Sequence, residues 1–261
     1  MDAKRRAAKP TEPRNAGLRR WLRVPGELAL PEWAQRRLRE PVDAEQRARE
    51  GLAAGRAVFG VIDLETTGMA SRSSSILEIG LVIQRGGRVI ERFETFVDPG
   101  TPVPWEITRL TGIQQAMLEG APDVDRAMLM LSQQLEAHAV DALVAHNAPF
   151  DRAFLERAWT ESDQLRELPP FLCSLRLARK LVRAPSYGLG ALVEHLSIPL
   201  RARHRALGDA EMTAHLWWEL IGRARLEGIH TVEALSELAS PRRGARGKRK
   251  VRTLDASSGI G

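Results

Sequence analysis

Two carboxylates one residue apart, Asp63 and Glu65 in the run Asp63-Leu64-Glu65-Thr66-Thr67-Gly68, are the first residues of this chain whose types and spacing could do chemistry. In a strand that spacing turns both side chains to one face. Two acids held side by side resist ionising together unless a cation lies with them. Further along come Asp151, closing His146-Asn147-Ala148-Pro149-Phe150-Asp151, and Asp209, five residues after His204 in His204-Arg205-Ala206-Leu207-Gly208-Asp209. Hard oxygen donors without cysteine favour magnesium or manganese over zinc, and a histidine beside them can take a proton from water at neutral pH. Four acids and a histidine in this order read as a cage for two divalent cations with a base beside it. Each residue also has a plainer reading: two solvated acids at a strand end, Asn147 or Asp151 capping helix amides, a surface histidine. The apolar strand running directly into Asp63 weighs against the first, and the place of Asp209 beside an apolar helix face calls for a partner to its charge.

The elements that must position these residues are legible from periodicity. Ala57 to Leu64 is a continuous apolar run, as in a central strand buried on both faces. Ile76–Gln84 and Arg88–Val97 read as two more strands joined by a tight turn at Gly86-Gly87. Pro99, Pro102 and Pro104 then break the sheet. A short helix is expected over Trp105–Leu110 and a longer one over Asp123–Ala139. Asp141–Ala145 reads as a strand leading into His146, with a helix over Phe150–Thr160. A brief apolar piece at Phe171-Leu172 precedes helices near Ser174–Val182, Leu189–Leu196 and Ala206–Arg223. The pattern predicts an α/β fold: a five-stranded mixed sheet, an antiparallel meander of three strands plus two parallel strands, flanked by helices.

Composition and charge narrow the class. With 43% apolar and 28% charged residues the chain has the balance of a soluble globular protein, and no apolar run approaches the roughly 18 residues of a membrane span. The basic N-terminus lacks the apolar stretch of a signal peptide, so a cytoplasmic address and no membrane partner are expected. Cys173 is the sole cysteine, which excludes an intramolecular disulfide and a thiolate zinc cage. The net charge of +6 sits at the ends: residues 1–23 hold eight Lys/Arg against two acids, residues 241–261 seven against one, and residues 24–240 carry a net −6. Such tails are either solvated or loosely tether a polyanion. Three regions follow: residues 1–55, a basic extension, disordered at first and helical later; residues 56–225, the catalytic body; residues 226–261, a short helical segment and a basic, disordered tail.

The segments Asp63–Gly68, Ile76-Leu77-Glu78-Ile79-Gly80, Leu110-Thr111-Gly112-Ile113, His146–Asp151 and His204–Ala210 together resemble the DEDDh 3'-5' exonucleases, and among them the epsilon proofreading subunit of bacterial DNA polymerase III. The resemblance spans about residues 57 to 223 and implies an RNase H-like fold. It implies that Asp63, Glu65 and Asp209 ligate a first metal, with Asp63 bridging to a second, that Asp151 completes the quartet partly through water, and that His204 is the general base. The implied cofactors are two Mg2+ or Mn2+ ions. Thr66 and Glu106 fall where the family contacts the terminal nucleotide's 3' hydroxyl, and Leu110 and Phe150 where it flanks base and sugar.

The implied reaction is two-metal hydrolysis of a single-stranded or 3'-frayed nucleic acid from its 3' end to nucleoside 5'-monophosphates. DNA is favoured over RNA, with proofreading or repair as the setting and a DNA polymerase or repair protein as partner. An RNA-trimming enzyme of the same superfamily and an inactive nucleic-acid-binding module are the alternatives. The intact quartet with His204 weighs against the inactive module. The chain departs from the family at Thr111, where many relatives have histidine, at Gln114, and at Cys173-Ser174, where Asp often precedes the hydroxyl residue.

Overall fold

The computed structural model describes residues 51–162, 164, 166–199 and 204–240. The expected extension up to residue 50 and the basic tail beyond 240 lie outside the described residues. Five strands form one sheet in the order β3-β2-β1-β4-β5. Strands β1 (Val58–Thr66), β2 (Ile76–Arg85) and β3 (Arg88–Phe96) make the expected antiparallel meander. Strands β4 (Ala142–Ala145) and β5 (Phe171–Cys173) add in parallel beyond β1. The β2–β3 turn is tight because Gly86 and Gly87 both adopt left-handed φ, +58° and +76°. At Gly87 a Cβ would also fall 2.5 Å from the indole of Trp218.

Seven α-helices surround the sheet among the described residues: α1 (Trp105–Thr111), α2 (Val124–Ala137), α3 (Pro149–Glu161), α4 (Ser174–Leu181), α5 (Leu189–His195), α6 (Ala206–Leu226) and α7 (Val232–Ala239). Local chemistry sets their ends. Asp123 accepts the Arg126 amide at 2.9 Å as N-cap of α2, Pro149 opens α3, and Gly112 ends α1 in a left-handed conformation at φ +77°. None of these helices is long and apolar enough to cross a membrane.

Helix α6 does most to position the site. Its residues Ala210, Ala214, Trp217, Leu220 and Ala224 belong to one buried cluster with Phe59 and Val61 of β1 and Val82 of β2. The Trp217 and Phe59 rings meet edge to face, their centroids 5.4 Å apart. Strand alternation puts Phe59, Val61, Asp63 and Glu65 on the same face of β1. The periodicity that buries two apolar side chains under α6 therefore carries two carboxylates to the same helix at its N-terminal end. The ends of the described chain are tied together beneath this layer: the Ala54 amide donates to the His230 carbonyl at 2.8 Å and the Val232 amide to Leu52 at 2.8 Å, with Val232 and Leu235 in the same cluster.

Candidate active site

Four acids gather at the C-terminal end of β1. Single carboxylate oxygens of Asp63, Glu65 and Asp209 lie within 4.8 Å of one another. Asp209 arrives on the first turn of α6. Asp151, the third residue of α3, is buried, and the backbone amides of Leu64 and of Asp151 itself favour its charged form. His204 stands just before α6 with a left-handed φ of +59°, and its backbone N–H donates to Asp209 Oδ2 at 3.2 Å. Asp63, His204 and Asp209 line an open cleft of about 600 Å3, shared with His146 and with Gly188 and Leu189 at the start of α5.

The electrostatics of this cluster are those of an anion cage. Burial, then the charges of Asp151, Asp209 and Glu65, hold the Asp63 carboxyl well above the usual carboxylate range. Burial, followed by Asp209 and Glu78, pushes Glu65 up to about 7, opposed by Arg205. Asp151 rises to about 8 through burial, although its own amide and that of Leu64 pull the other way. Desolvated carboxylates that repel one another, all hard oxygen donors, fit a divalent cation. Asp63, Glu65 and Asp209 could hold one.

The close approach of α6 depends on two residues of β2. Gly80 pairs with Asp63 across the sheet, and a Cβ there would lie 2.2 Å from the Ala206 carbonyl carbon and the Leu207 nitrogen. Any larger residue would lift the first turn of α6, and Asp209 with it, away from Asp63. Glu78, opposite Glu65, is completely buried between Leu77 and Ile79. It accepts from Arg205 Nη2 at 2.7 Å, from Arg205 Nε at 3.0 Å and from the Ala206 amide at 3.0 Å. Arg205 also reaches Glu94 at 3.3 Å and lies over the Phe96 ring. Sequence reasoning did not assign Glu78 or Arg205 a role. The signal was present: a glutamate within Ile76-Leu77-Glu78-Ile79-Gly80 needs a buried partner, and an arginine sits inside the His204–Asp209 motif.

His146, unassigned despite its motif, is a structural pin. Its Nε2 faces the Tyr187 carbonyl, which can only accept, so that nitrogen carries the proton, while Nδ1 faces Ser174 Oγ, both at 2.9 Å. Burial lowers its pKa, in keeping with a neutral ring. The pin fastens the end of β4 to α4 and to the cleft wall before α5. Asn147, at φ +74°, supplies the left-handed step that turns the chain into α3.

The expected substrate residues are more dispersed. Thr66 is buried and its hydroxyl donates to the Gly68 carbonyl at 2.7 Å, within its own loop. Glu106 and Leu110 lie on the exposed side of α1, with Leu110 57% exposed. Phe150 packs on Phe154, ring centroids 5.0 Å apart. None of the four is among the residues lining the cleft. Thr111, where relatives often have histidine, accepts the Ile113 amide and donates to the Ile107 carbonyl, closing α1.

The family model described as Exonuclease matches residues 61–217, more than half of the chain. The chain belongs to this exonuclease family. A Mycobacterium tuberculosis protein whose name proposes a bifunctional exonuclease/endonuclease is 40% identical over 186 residues, covering 68% of this chain and 28% of that protein. The DNA polymerase III PolC-type of Listeria innocua is 36% identical over 178 residues, covering 68% of this chain and 12% of that polymerase. The exonuclease-family chain thus spans less than a third of the length of either relative. Among solved structures, Exonuclease X in complex with 5' overhanging duplex DNA has a TM-score of 0.56 at 25% identity, covering 70% of this chain and 99% of the other. Escherichia coli Exonuclease I with a dT13 oligonucleotide has a TM-score of 0.57 at 15% identity, over 66% of this chain and 43% of the other, a likeness of fold. The RNase H-like arrangement expected from the sequence is shared with these exonucleases.

Two outcomes follow from the electrostatics and the docking. Because Glu65 and Asp151 have folded-state pKa values above their ordinary ones, their contribution to stability is fully present below about pH 4 and is lost as pH rises through about 7 and 8. In chelator, thermal unfolding should therefore fall in midpoint between pH 5.5 and 8.5. Asp63→Asn should blunt that fall and abolish the recovery that a divalent salt produces at pH 8. Arg205→Ala leaves Glu78 buried without its cation and should cost on the order of 3 kcal/mol in a urea titration.

Proposed function

We propose that this chain is a metal-dependent 3'-5' exonuclease that removes nucleoside 5'-monophosphates from the 3' end of single-stranded or frayed DNA, in proofreading or repair in the cytoplasm. The observation that carries this reading is the convergence of Asp63, Glu65 and Asp209 within 4.8 Å at a cleft that His204 also lines. DNA is favoured because relatives bear the name DNA polymerase III PolC-type and because the Exonuclease X neighbour was solved with duplex DNA. Those names also support a polymerase or repair protein as partner.

In this reading Asp63, Glu65, Asp151 and Asp209 would hold two Mg2+ or Mn2+ ions. Such ions, when bound, help activate the attacking water and neutralise charge on the phosphoryl and leaving oxygens. His204 takes the proton from the water that attacks the terminal phosphorus. The hydrogen bond from its backbone N–H to Asp209 sets the base beside the acids, and the left-handed φ turns the chain sharply into α6. The bond to the 3' oxygen of the penultimate nucleotide breaks, leaving a 5'-phosphate on the released nucleotide. Exposed Leu110 and the ring of Phe150 pack against the terminal base and sugar, while Glu106 and Thr66 contact its 3' hydroxyl. Stacking and backbone contact suffice for entry of a frayed strand, without base readout.

End-labelled single-stranded DNA, 3'-mismatched duplex and RNA of equal length, digested side by side with magnesium, manganese or chelator, test the reading. Mononucleotides should appear from both DNA substrates, only with metal, and faster than from RNA; faster RNA trimming would transfer the substrate class to RNA. Asp63→Ala and Asp209→Ala should each abolish turnover with unchanged circular dichroism, and retained activity in either would overturn the cage. His204→Ala should lower kcat by about 10²–10⁴-fold. It should also change the pH–rate profile; an unaltered profile would end its role as base.

A further inference from the structure

Four cations on and just beyond α4 have no part in the chemistry above. Arg176, Arg179 and Lys180 stand at i, i+3 and i+4, on one side of α4, while Leu177 and Ala178 are fully buried on the other. Arg183 follows just past the helix end. Arg179, Lys180 and Arg183 are exposed and Arg176 is half-buried. None of the four forms an ion pair or hydrogen bond with a described residue, whereas Arg92, Arg152, Arg157, Arg166, Arg205 and Arg223 each face a carboxylate. The helix dipole accounts for Arg179 and Lys180 in the last turn, but it disfavours Arg176 in the first and does not reach past Arg183.

The stripe starts close to the cleft, because Ser174 at the head of α4 is hydrogen-bonded to His146 of the cleft lining. The charge of Arg179 is felt at His146, which lines the cleft, and the chain runs from Arg183 to Tyr187, pinned to His146, and on to the cleft wall at Gly188. The cleft itself is lined by Asp63, Glu194 and Asp209, so a nucleic acid strand entering it meets negative charge. Unpaired cations near the cleft offset that charge along the approach.

We propose that Arg176, Arg179, Lys180 and Arg183 form a track that holds the phosphates of the single-stranded DNA substrate, on the 5' side of the nucleotide being cut. The track rests on the exonuclease reading for its substrate. It supplies affinity and orientation without sequence preference, because phosphate contacts carry none. A track of this kind lowers KM for strands long enough to reach it and leaves the chemical step alone.

The test uses the full chain and a triple variant, Arg179→Ala/Lys180→Ala/Arg183→Ala, which removes only exposed side chains. Binding of a labelled 20-nucleotide DNA strand in chelator, followed by anisotropy across a salt series, should weaken at least tenfold at low salt. The slope of log K against log salt should shrink by about 2, since each phosphate that a cation no longer neutralises removes roughly 0.7 from it. Hydrolysis of the p-nitrophenyl ester of thymidine 5'-monophosphate, too short to touch the track, should stay within about twofold. The charge-preserving pair Arg179→Lys/Arg183→Lys should keep the wild-type slope. Unchanged affinity and slope in the triple variant would overturn the track, as would a parallel loss on the ester. A wild-type protein that hydrolyses neither substrate would sink the exonuclease reading, and the binding series would still decide the track.

Discussion

The seating of α6 against β2 is the contact on which the rest of the site depends. Glu78 is a carboxylate buried in the middle of a sheet, a costly placement unless its charge and lone pairs are met. Arg205 and the Ala206 amide meet them, and so anchor the start of α6 directly above β2. Gly80 removes the one Cβ that would hold the helix away. Once the helix start is fixed, Asp209 must fall beside Asp63 and Glu65, and His204 must fall at the cleft. The apolar contacts further along, Trp217 on Phe59 and Ala210 to Ala224 along the sheet, hold the helix axis. The ion pair and the glycine fix its first turn.

The same seating gathers negative charge that the chain does not neutralise by itself. Asp63, Glu65, Asp151 and Asp209 are drawn together and partly desolvated, and the carboxyl groups of the first three resist ionising in consequence. Stability is given up locally for a donor set suited to a divalent cation. The surrounding framework carries that cost: β1 is buried along nearly its whole length and α6 runs 21 residues. His146, pinned between Ser174 and the Tyr187 carbonyl, extends the framework to the opposite wall of the cleft.

Much of this was legible in the sequence because the relevant signals are local. The apolar run into Asp63, the Gly86-Gly87 turn, the strand before His146 and the helix carrying Asp209 are each set by periodicity and turn chemistry. The grouping of the acids was legible through motifs that the family shares. Less legible were residues whose roles exist only across the sheet. Glu78 looks like a lone acid in a largely apolar strand until α6 is laid over it. His146 has no evident role until its two partners, 28 and 41 residues away, are seen. Thr66 donates its hydroxyl to the Gly68 carbonyl within its own loop, a contact that the sequence does not announce. Whether a side chain faces a ligand or its neighbours depends on the loop's backbone path, which residue identity does not encode.

By itself the sequence determined the element types, the order of strands and helices, the acids at one strand end and the family to which the chain belongs. These follow from periodicities of two and 3.6 residues and from short-range chemistry, which act within a few residues of chain. Only the tertiary structure decided how near the acids stand, which residues lock α6 in place, and where unpaired cations lie near the cleft. Those are set by contacts between segments far apart in sequence, from 28 residues for His146 with Ser174 to 127 for Glu78 with Arg205, which local periodicity does not encode.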